Sequence, residues 1–144
     1  MKKIYVAYKF KDADLNILKQ KLEELSKAIE EVTNYKTYVF FRDAQKWGKI
    51  KMDMKEVTQK ATEALEKCES ILVEATEKSN GAYFEAGYAK ALGKKVIIVH
   101  KTGTETAFLD SIADISIEYD TFEDLREKLR EKMGKGLKDK TNWK

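Results

Sequence analysis

The fold is decided by the stretch "ESILVEATEKSNGAYFEAGYAKALGKKVIIVH", residues 69–100. It contains two apolar runs, "SILVEA" (70–75) and "KVIIVH" (95–100), which we predict to be β-strands because they are short and rich in β-branched residues. The segment between them is small, aromatic and largely uncharged, and Gly93 stands where a helix C-cap is expected. A strand, a helix and a second strand in this order predict a β-α-β unit with parallel strands.

The N-terminal half continues the alternation. "KIYVAYKF" (3–10) and "KTYVFF" (36–41) predict strands, and an apolar stripe between them predicts a helix with Asp12 as its N-cap. The stripe consists of Leu15, Leu18, Leu22, Leu25, Ile29 and Val32. Residues 42–53 have no clean period and predict a long loop, and residues 54–67 predict a second helix.

In the C-terminal part we predict a small helix near 107–112, a strand at about 114–118 and a last helix that begins at Thr121. We expect residues 1–133 to form one domain and 134–144 a loose tail. Strands and helices alternate throughout. This pattern predicts a single-domain, doubly wound α/β fold of the flavodoxin or Rossmann type, with helices on both faces of a five-stranded parallel sheet.

The composition excludes several classes of function. Charged residues make up 37% of the 144 residues, but the net charge is only +3, which gives no electrostatic argument for polymeric nucleic acid. No apolar run approaches the roughly 20 residues that span a bilayer, so we expect no membrane partner. The single cysteine, Cys68, excludes an internal disulfide framework and indicates a cytoplasmic location. With only one histidine as well, a zinc site of His and Cys ligands is excluded.

In a doubly wound sheet, ligands bind beyond the carboxyl ends of the strands, where the strand order reverses. The loops predicted at this edge are 8–12, 42–53, 76–81 and 101–106. In the third of them, Ser79 or Asn80 can cap the helix that follows, and the amides around Gly81 then point at the strand ends. A helix start of this kind holds anions, particularly phosphate.

Glu85 is the unusual residue of this helix. It lies one turn beyond the helix start, its side chain leans back toward the N-terminus, and three of its four helical neighbours are Gly or Ala. One interpretation is a surface acid stabilised by the helix dipole. The other is a nucleophile or general acid/base, since a carboxylate can attack an anomeric carbon and form a covalent glycosyl intermediate.

Two segments resemble a known family. Residues 3–10 and 68–106 resemble the nucleoside 2-deoxyribosyltransferase superfamily, which includes the deoxynucleoside 5′-monophosphate N-glycosidases. The most specific part is the pattern E-x-G-x-A-x-A-x-G-K after a strand and loop. The chain meets it with Glu85, Gly87, Ala89, Ala91, Gly93 and Lys94.

The resemblance implies roles for individual residues. Glu85 matches the family's nucleophile, and Tyr5 the tyrosine at the floor of the hydrolase site. Ser79 matches a phosphate-contacting serine of the monophosphate hydrolases, where the transferases have aspartate, which favours a phosphorylated substrate and hydrolysis. Thr106 falls near the polar residue that a neighbouring subunit supplies, and a cap for the following helix is an equally good interpretation. The resemblance also implies a homodimer or larger homo-oligomer and no metal or organic cofactor.

Two positions depart from the family's pattern. The family often has an aspartate on the preceding helix that assists protonation of the leaving base, and Ala61 stands at that position. Glu63 and Asp53 are possible substitutes. Tyr83 stands where the family often has a small residue, which narrows the predicted site.

Other residues at this edge have two interpretations each. Arg42 either binds a phosphate in a forked geometry or pairs with Asp43. If Asp43 is not paired with Arg42, it bonds a ribose hydroxyl or a base edge. Tyr8 and Lys9 have one shared interpretation, as residues that bind the sugar or the phosphate. In the other, Tyr8 is a side chain at the sheet edge and Lys9 is a solvated cation. Trp47 is either a lid that stacks on a nucleobase or part of a subunit interface.

Two more polar residues end predicted strands. His100 is interpreted as a strand end rather than a catalyst. Glu74 is unusual in a buried strand, needs a partner there and can orient the site.

Together these observations predict cleavage or transfer at the N-glycosidic bond of a small-molecule (deoxy)nucleoside or its 5′-monophosphate, through Glu85 and a glycosyl-enzyme intermediate. Two alternatives stay open on the same kind of fold: a non-catalytic nucleotide-binding or sensing module, and a TIR-like NAD-cleaving domain.

Overall fold

The computed structural model describes residues 2–134 of the chain. Five strands form one parallel sheet in the order β2-β1-β3-β4-β5. The strands are β1 (Lys3–Ala7), β2 (Lys36–Val39), β3 (Ser70–Glu74), β4 (Lys95–Lys101) and β5 (Ile115–Tyr119). The predicted single-domain α/β fold with a five-stranded parallel sheet is therefore confirmed.

Helices connect these strands. They are α1 (Leu15–Thr33), α2 (Phe40–Asp43), α3 (Met54–Lys67), α4 (Asn80–Ala91), α5 (Ala107–Asp110) and α6 (Phe122–Leu129). A π-helical turn, Arg130–Gly134, follows α6, so the first residue of the predicted tail belongs to this turn and the rest, 135–144, lies outside the described residues. Within residues 2–134, no helix has both the length and the apolar character to cross a bilayer.

The helices cover both faces of the sheet, as predicted. α1 packs with α6 on one face, and α3 packs with α4 on the other. Each face has its own apolar core, and successive residues of β1 alternate between them: Ile4 and Val6 face α1, whereas Tyr5 and Ala7 face α3 and α4. A strand that is covered on both sides has to be apolar on both, which explains the continuous apolar runs of β3 and β4.

Two strands end earlier than predicted. β1 ends at Ala7 rather than residue 10, and β2 ends at Val39 rather than residue 41. β2 is cut short because residues 40–43 turn into α2, and the Asp43 carboxylate accepts a hydrogen bond from the Val39 amide at 2.8 Å. The side chains after these strands therefore lie on turns above the sheet edge.

The predicted N-cap of α1 at Asp12 is wrong. Asp12 adopts a left-handed φ of 62°, which Asp tolerates, in the turn between β1 and α1. Asp14 caps the helix instead, because its carboxylate accepts from the amides of Asn16 at 3.0 Å and Ile17 at 3.1 Å.

Gly93 ends α4 in a Schellman motif, as the sequence predicts for a helix C-cap. The Lys94 amide donates to the Ala89 carbonyl and the Gly93 amide to the Lys90 carbonyl, both at 3.0 Å. Gly93 has a φ of 76°, which glycine adopts without steric cost.

We expect Gly93→Ala to lower the free energy of unfolding by about 1 kcal/mol, because a Cβ disfavours positive φ. The added carbon meets no other atom within 4 Å, so crowding does not contribute. Gly93→Asn is the control and should cost less, since Asn tolerates the left-handed region. Urea unfolding followed by circular dichroism measures both variants. Equal losses in the two variants would contradict the backbone explanation.

Candidate active site

The candidate site lies at the carboxyl edge of β1 and β3. From β1 the chain moves outward to β2, whereas from β3 it moves in the opposite direction to β4, so the strand order reverses between β1 and β3. The loops 8–14 and 75–79 leave the sheet at this point. α4 begins directly after the second loop and carries Glu85 in its second turn.

α4 packs closely on the sheet because its inner face is made of alanines. Ala82, Ala86 and Ala89 are buried in the core that also contains Tyr5. Side chains of a single carbon keep the helix backbone near the strands. α4 therefore contacts β1 as well as the adjacent β3 and β4.

Tyr5 and Glu85 meet across this packed surface. Tyr5 lies in the middle of β1 and is 1% exposed. Its hydroxyl donates a hydrogen bond to Oε2 of Glu85, which is partly buried. The structure thus brings together the two residues that match the nucleophile and the floor tyrosine of the family that the sequence resembles, although they are 80 residues apart in the chain.

The surroundings of Glu85 disfavour its charged form. Burial raises the pKa of Glu85 to about 7, although the hydrogen bond from Tyr5 favours the charged form and lowers it. Burial also raises the pKa of Tyr5 far above its ordinary value, and the negative charge of Glu85 adds to the rise. The phenol therefore keeps its proton and donates a hydrogen bond to the carboxylate.

Two further tyrosines stand around this pair. The Tyr8 hydroxyl accepts a hydrogen bond from the Phe41 amide at 2.8 Å, and burial raises its pKa, with Glu85 contributing. The Tyr38 ring stacks on Tyr5 with ring centres 5.5 Å apart and planes at 22°. Tyr38 was not predicted as a site residue. The signal for it is the parallel register of β1 and β2, which places Tyr5 beside Tyr38.

The start of α4 has the geometry of an anion site. Ser79 is the N-cap, and its Oγ accepts from the Ala82 amide at 3.2 Å. Asn80 and Gly81 are the first helical residues and are exposed, so their amides lie in the first turn with no carbonyl of the preceding turn to accept from them. Of the two predicted caps, Ser79 is the one that caps.

Arg42 and Asp43 bind each other. The guanidinium donates from Nε to the Asp43 carboxylate at 2.9 Å and from Nη2 to the Thr37 carbonyl at 2.7 Å. Burial acts against the charge of Asp43, but hydrogen bonds from Arg42 and the Val39 amide outweigh it and lower its pKa. Both side chains therefore hold the end of β2, where they stabilise α2.

The remaining candidates have local partners. Lys9 Nζ lies 3.2 Å from Oε2 of Glu77. Thr106 begins α5, but its hydroxyl donates to Asp110 at 2.9 Å and makes no capping bond. His100 is buried at the end of β4, with Nδ1 3.1 Å from the Lys101 carbonyl.

Trp47 packs within the chain on the α1 side. Its ring meets Phe41 edge-on at 5.2 Å between centres, and Lys19 Nζ lies 5.1 Å from its centre. Lys46 and Trp47 have left-handed φ values of 50° and 56°, which this packing supports. The ring is thus held away from Glu85.

Two cavities lie on the α1 side of the sheet, and Glu85 lines neither. One of about 320 Å³ lies between the 8–14 loop and the first half of α1, and Tyr8, Lys9 and Glu74 border it. The other, of about 410 Å³, is bordered by Arg42, Trp47 and α1. The structure therefore groups Tyr8 and Lys9 with the switch point and places Arg42 with Trp47 on the α1 side.

Glu74 ends β3 and is 3% exposed. Its carboxylate accepts from the Thr76 amide at 3.0 Å, from the Thr76 hydroxyl at 2.6 Å and from the Tyr119 hydroxyl, and Lys21 Nζ lies 3.5 Å away. A buried carboxylate requires such partners. This network holds the loop from which α4 starts.

The two acids considered as substitutes for Ala61 are exposed on α3. Asp53 caps that helix by accepting from the Glu56 amide at 2.9 Å, and Glu63 accepts from the Gln59 amide group at 3.2 Å. Ala61 itself is buried in the core beneath α3. Neither carboxylate contacts Glu85 in the part of the chain that the structure describes.

Metal ligands are not clustered. Across residues 2–134, no three His, Cys, Asp or Glu side chains lie close enough together to hold a metal ion.

Comparison with known proteins supports the fold. No family model and no curated protein sequence matches the chain. The CMP N-glycosidase BcmB of Clostridium botulinum has a similar structure, with a TM-score of 0.65, 21% identity, and coverage of 89% of this chain and 97% of that chain.

Two further structures are similar. A conserved protein of Enterococcus faecalis V583 has a TM-score of 0.66 at 17% identity and covers 91% of this chain and 98% of its own. A 3-dehydroquinate dehydratase-like protein of Bifidobacterium longum has a TM-score of 0.54 at 17% identity, with 95% and 98% covered. At these identities the likeness shows a shared α/β fold over nearly the whole of each chain.

We expect Glu85→Gln to stabilise the protein at alkaline pH. An unfolded chain releases the Glu85 proton near the ordinary value of 4.5, whereas the folded protein holds it until about pH 7. Between these values the folded state binds more protons, so the Glu85 contribution to stability falls as pH rises and stays low above pH 7. Gln avoids this loss and still accepts from Tyr5.

The gain of Glu85→Gln over the parent should therefore grow from near zero at about pH 4.5 to about 2 kcal/mol at about pH 8, allowing for partial exposure. Urea unfolding at a series of pH values measures it. Glu69→Gln, at an exposed position, is the control for removal of one carboxylate. A gain that does not change with pH would show that burial does not raise the pKa of Glu85.

Proposed function

We propose that the chain cleaves or transfers at the N-glycosidic bond of a (deoxy)nucleoside or its 5′-monophosphate, with Glu85 as nucleophile. The observation that carries the proposal is the hydrogen bond between Tyr5 and Glu85 at the switch point of the sheet. The similarity in fold to a CMP N-glycosidase supports it. So does the resemblance of residues 68–106 to the nucleoside 2-deoxyribosyltransferase superfamily.

The chemistry follows from a carboxylate of this kind. Ionised Glu85 attacks the anomeric carbon while the base departs, which gives a glycosyl ester on the enzyme. Water then hydrolyses the ester, or a second base takes the sugar. Tyr5 orients the carboxylate by binding one of its oxygens, and it stabilises the charge that returns to Glu85 when the ester breaks.

The start of α4 is the proposed site of a 5′-phosphate. The exposed amides of Asn80 and Gly81 and the partial positive charge of the helix N-terminus suit an anion. Serine at position 79 adds no negative charge, which favours a phosphorylated substrate and hence hydrolysis over transfer. Arg42 and Asp43 are bound to each other, so we assign them no direct part in the reaction.

A second copy of the chain is proposed to close the site. Glu85 borders neither of the two cavities described above, and two stacked aromatic pairs, Tyr83 with Phe108 and Phe84 with Tyr88, lie on α4 and α5. These four residues form the aromatic patch. Phe84 is 50% exposed and Phe108 is 69% exposed. Large aromatic side chains that are exposed together are typical of interfaces.

Phe84→Lys should convert the protein from a dimer or larger oligomer to a single chain, because it places a charge in the aromatic patch. Sedimentation velocity measures the mass of each form. Ile17→Lys is the control, since Ile17 is 66% exposed on α1, away from the patch. A parent protein that sediments as a single chain would contradict the proposed interface.

Chromatography of free base tests the reaction. The panel contains deoxynucleosides, deoxynucleoside 5′-monophosphates and ribonucleotides including CMP, each with and without an acceptor base. Glu85→Gln should lower base release at least about a thousandfold. Release by the parent should rise with pH through about 7, because the nucleophile has to be ionised.

The controls separate the alternatives. Glu69→Gln removes an exposed carboxylate and should leave base release unchanged. No release from any substrate, with nucleotide still raising the melting temperature, would leave a binding module. Loss of NAD under the same conditions would indicate the NAD-cleaving alternative, and new nucleoside formed only with acceptor would indicate a transferase.

A further inference from the structure

Tyr38 is a member of the candidate site with an unused hydrogen-bond donor. Its ring stacks on Tyr5, which donates to Glu85. In the described part of the chain its hydroxyl has no hydrogen-bond partner. Within residues 2–134, Oγ of Ser70 is the only fully buried side-chain polar atom without a hydrogen-bond partner. The Tyr38 hydroxyl is therefore not fully buried, and a ligand can reach it.

The oxygens of the other polar groups around Glu85 make hydrogen bonds within the chain. Tyr5 donates its hydrogen bond to Glu85, and the Tyr8 oxygen accepts from the Phe41 amide, which leaves only the Tyr8 proton free. The Asp43 carboxylate accepts from the amide and guanidinium groups already described. Tyr38 is therefore the hydroxyl near Glu85 whose oxygen makes no hydrogen bond within the described chain, whereas the Tyr8 hydroxyl is held in place by the Phe41 amide.

Departure of a nucleobase requires such a donor. When the bond from the anomeric carbon to the base nitrogen breaks, its electron pair stays on the base, and an anionic base departs slowly. Protonation in the transition state accelerates steps of this kind by about 10²–10⁴-fold. Glu85 cannot supply the proton while its carboxylate attacks the sugar.

We propose that Tyr38 is the proton donor to the leaving base, an inference that rests on the proposed function. As the carbon–nitrogen bond breaks, its electron pair goes to the base, the Tyr38 hydroxyl proton passes to the base, and Glu85 bonds to the anomeric carbon. Water then attacks that carbon and gives a proton to the Tyr38 phenolate. The electron pair of the broken ester bond returns to Glu85, so one water is consumed and both residues are regenerated.

The surroundings of Tyr38 keep it in the donor form. Burial raises the pKa of Tyr38 to about 12, and the negative charges of Asp43 and Glu85 add to the rise. The hydroxyl therefore carries its proton at neutral pH before the base departs. Its stacking on Tyr5 holds the ring on the side of the sheet where Glu85 lies.

Tyr38→Phe tests the proposal with two substrates on one preparation. One is the best nucleotide of the panel, and the other is the same nucleotide with an activated base, 5-fluoro for a pyrimidine or N7-methyl for a purine, which departs with less need of a proton. We expect kcat for the ordinary nucleotide to fall by about 100-fold or more. The activated nucleotide should lose less than about 3-fold. The ratio of the two losses does not depend on how much of the variant is folded.

Two other variants complete the experiment. Tyr35→Phe, on the α1 side of the sheet, is the control and should change neither rate. Equal losses on both substrates in Tyr38→Phe would overturn the assignment, as would a selective loss on the ordinary nucleotide in Tyr8→Phe instead. A parent that releases no base contradicts the proposed function. If the parent is active and depends on Glu85, but Tyr38→Phe loses the same factor on both nucleotides, only the Tyr38 assignment is contradicted.

Discussion

The close approach of α4 to the sheet is the constraint on which the candidate site depends. Three alanines form the inner face of this helix, so its backbone lies near enough to the strands for Glu85 to reach Tyr5 on β1. A larger side chain at any of these positions would move the helix outward, since protein interiors are packed without spare volume. The small size of these alanines therefore allows the Glu85 carboxylate to reach Tyr5.

The same packing makes Glu85 chemically unusual. Burial favours the neutral acid and the Tyr5 hydrogen bond favours the anion, and the balance lies near pH 7. Structural stability favours an exposed, ionised glutamate at this position. In Glu85, burial destabilises the charged form and brings the pKa near neutrality. Carboxyl groups with such a shift are typical of functional sites, where a group changes its bonding during a reaction.

Much of the fold could be predicted from the sequence, because strand and helix periods are local properties. Glu85 could also be predicted, since a charge among small residues is visible in one helix. The position of Tyr38 beside Tyr5 could not, because it depends on the register of β1 and β2. Asp12 and Asp14 are both able to cap α1, and the turn that decides between them is set by backbone geometry. The sequence offers the Arg42–Asp43 pair as one of two interpretations, and the observed hydrogen bond decides in its favour.

The network around Glu74 links the candidate site to the far edge of the sheet. Tyr119 is the last residue of β5, and its hydroxyl is one of the donors to the carboxylate at the foot of the loop that starts α4. During synthesis, every residue of the candidate site has emerged before this donor has. A nascent chain that stops short of β5 therefore lacks one donor to the Glu74 carboxylate, so the loop that starts α4 gains its full set of hydrogen bonds only when the final strand is in place.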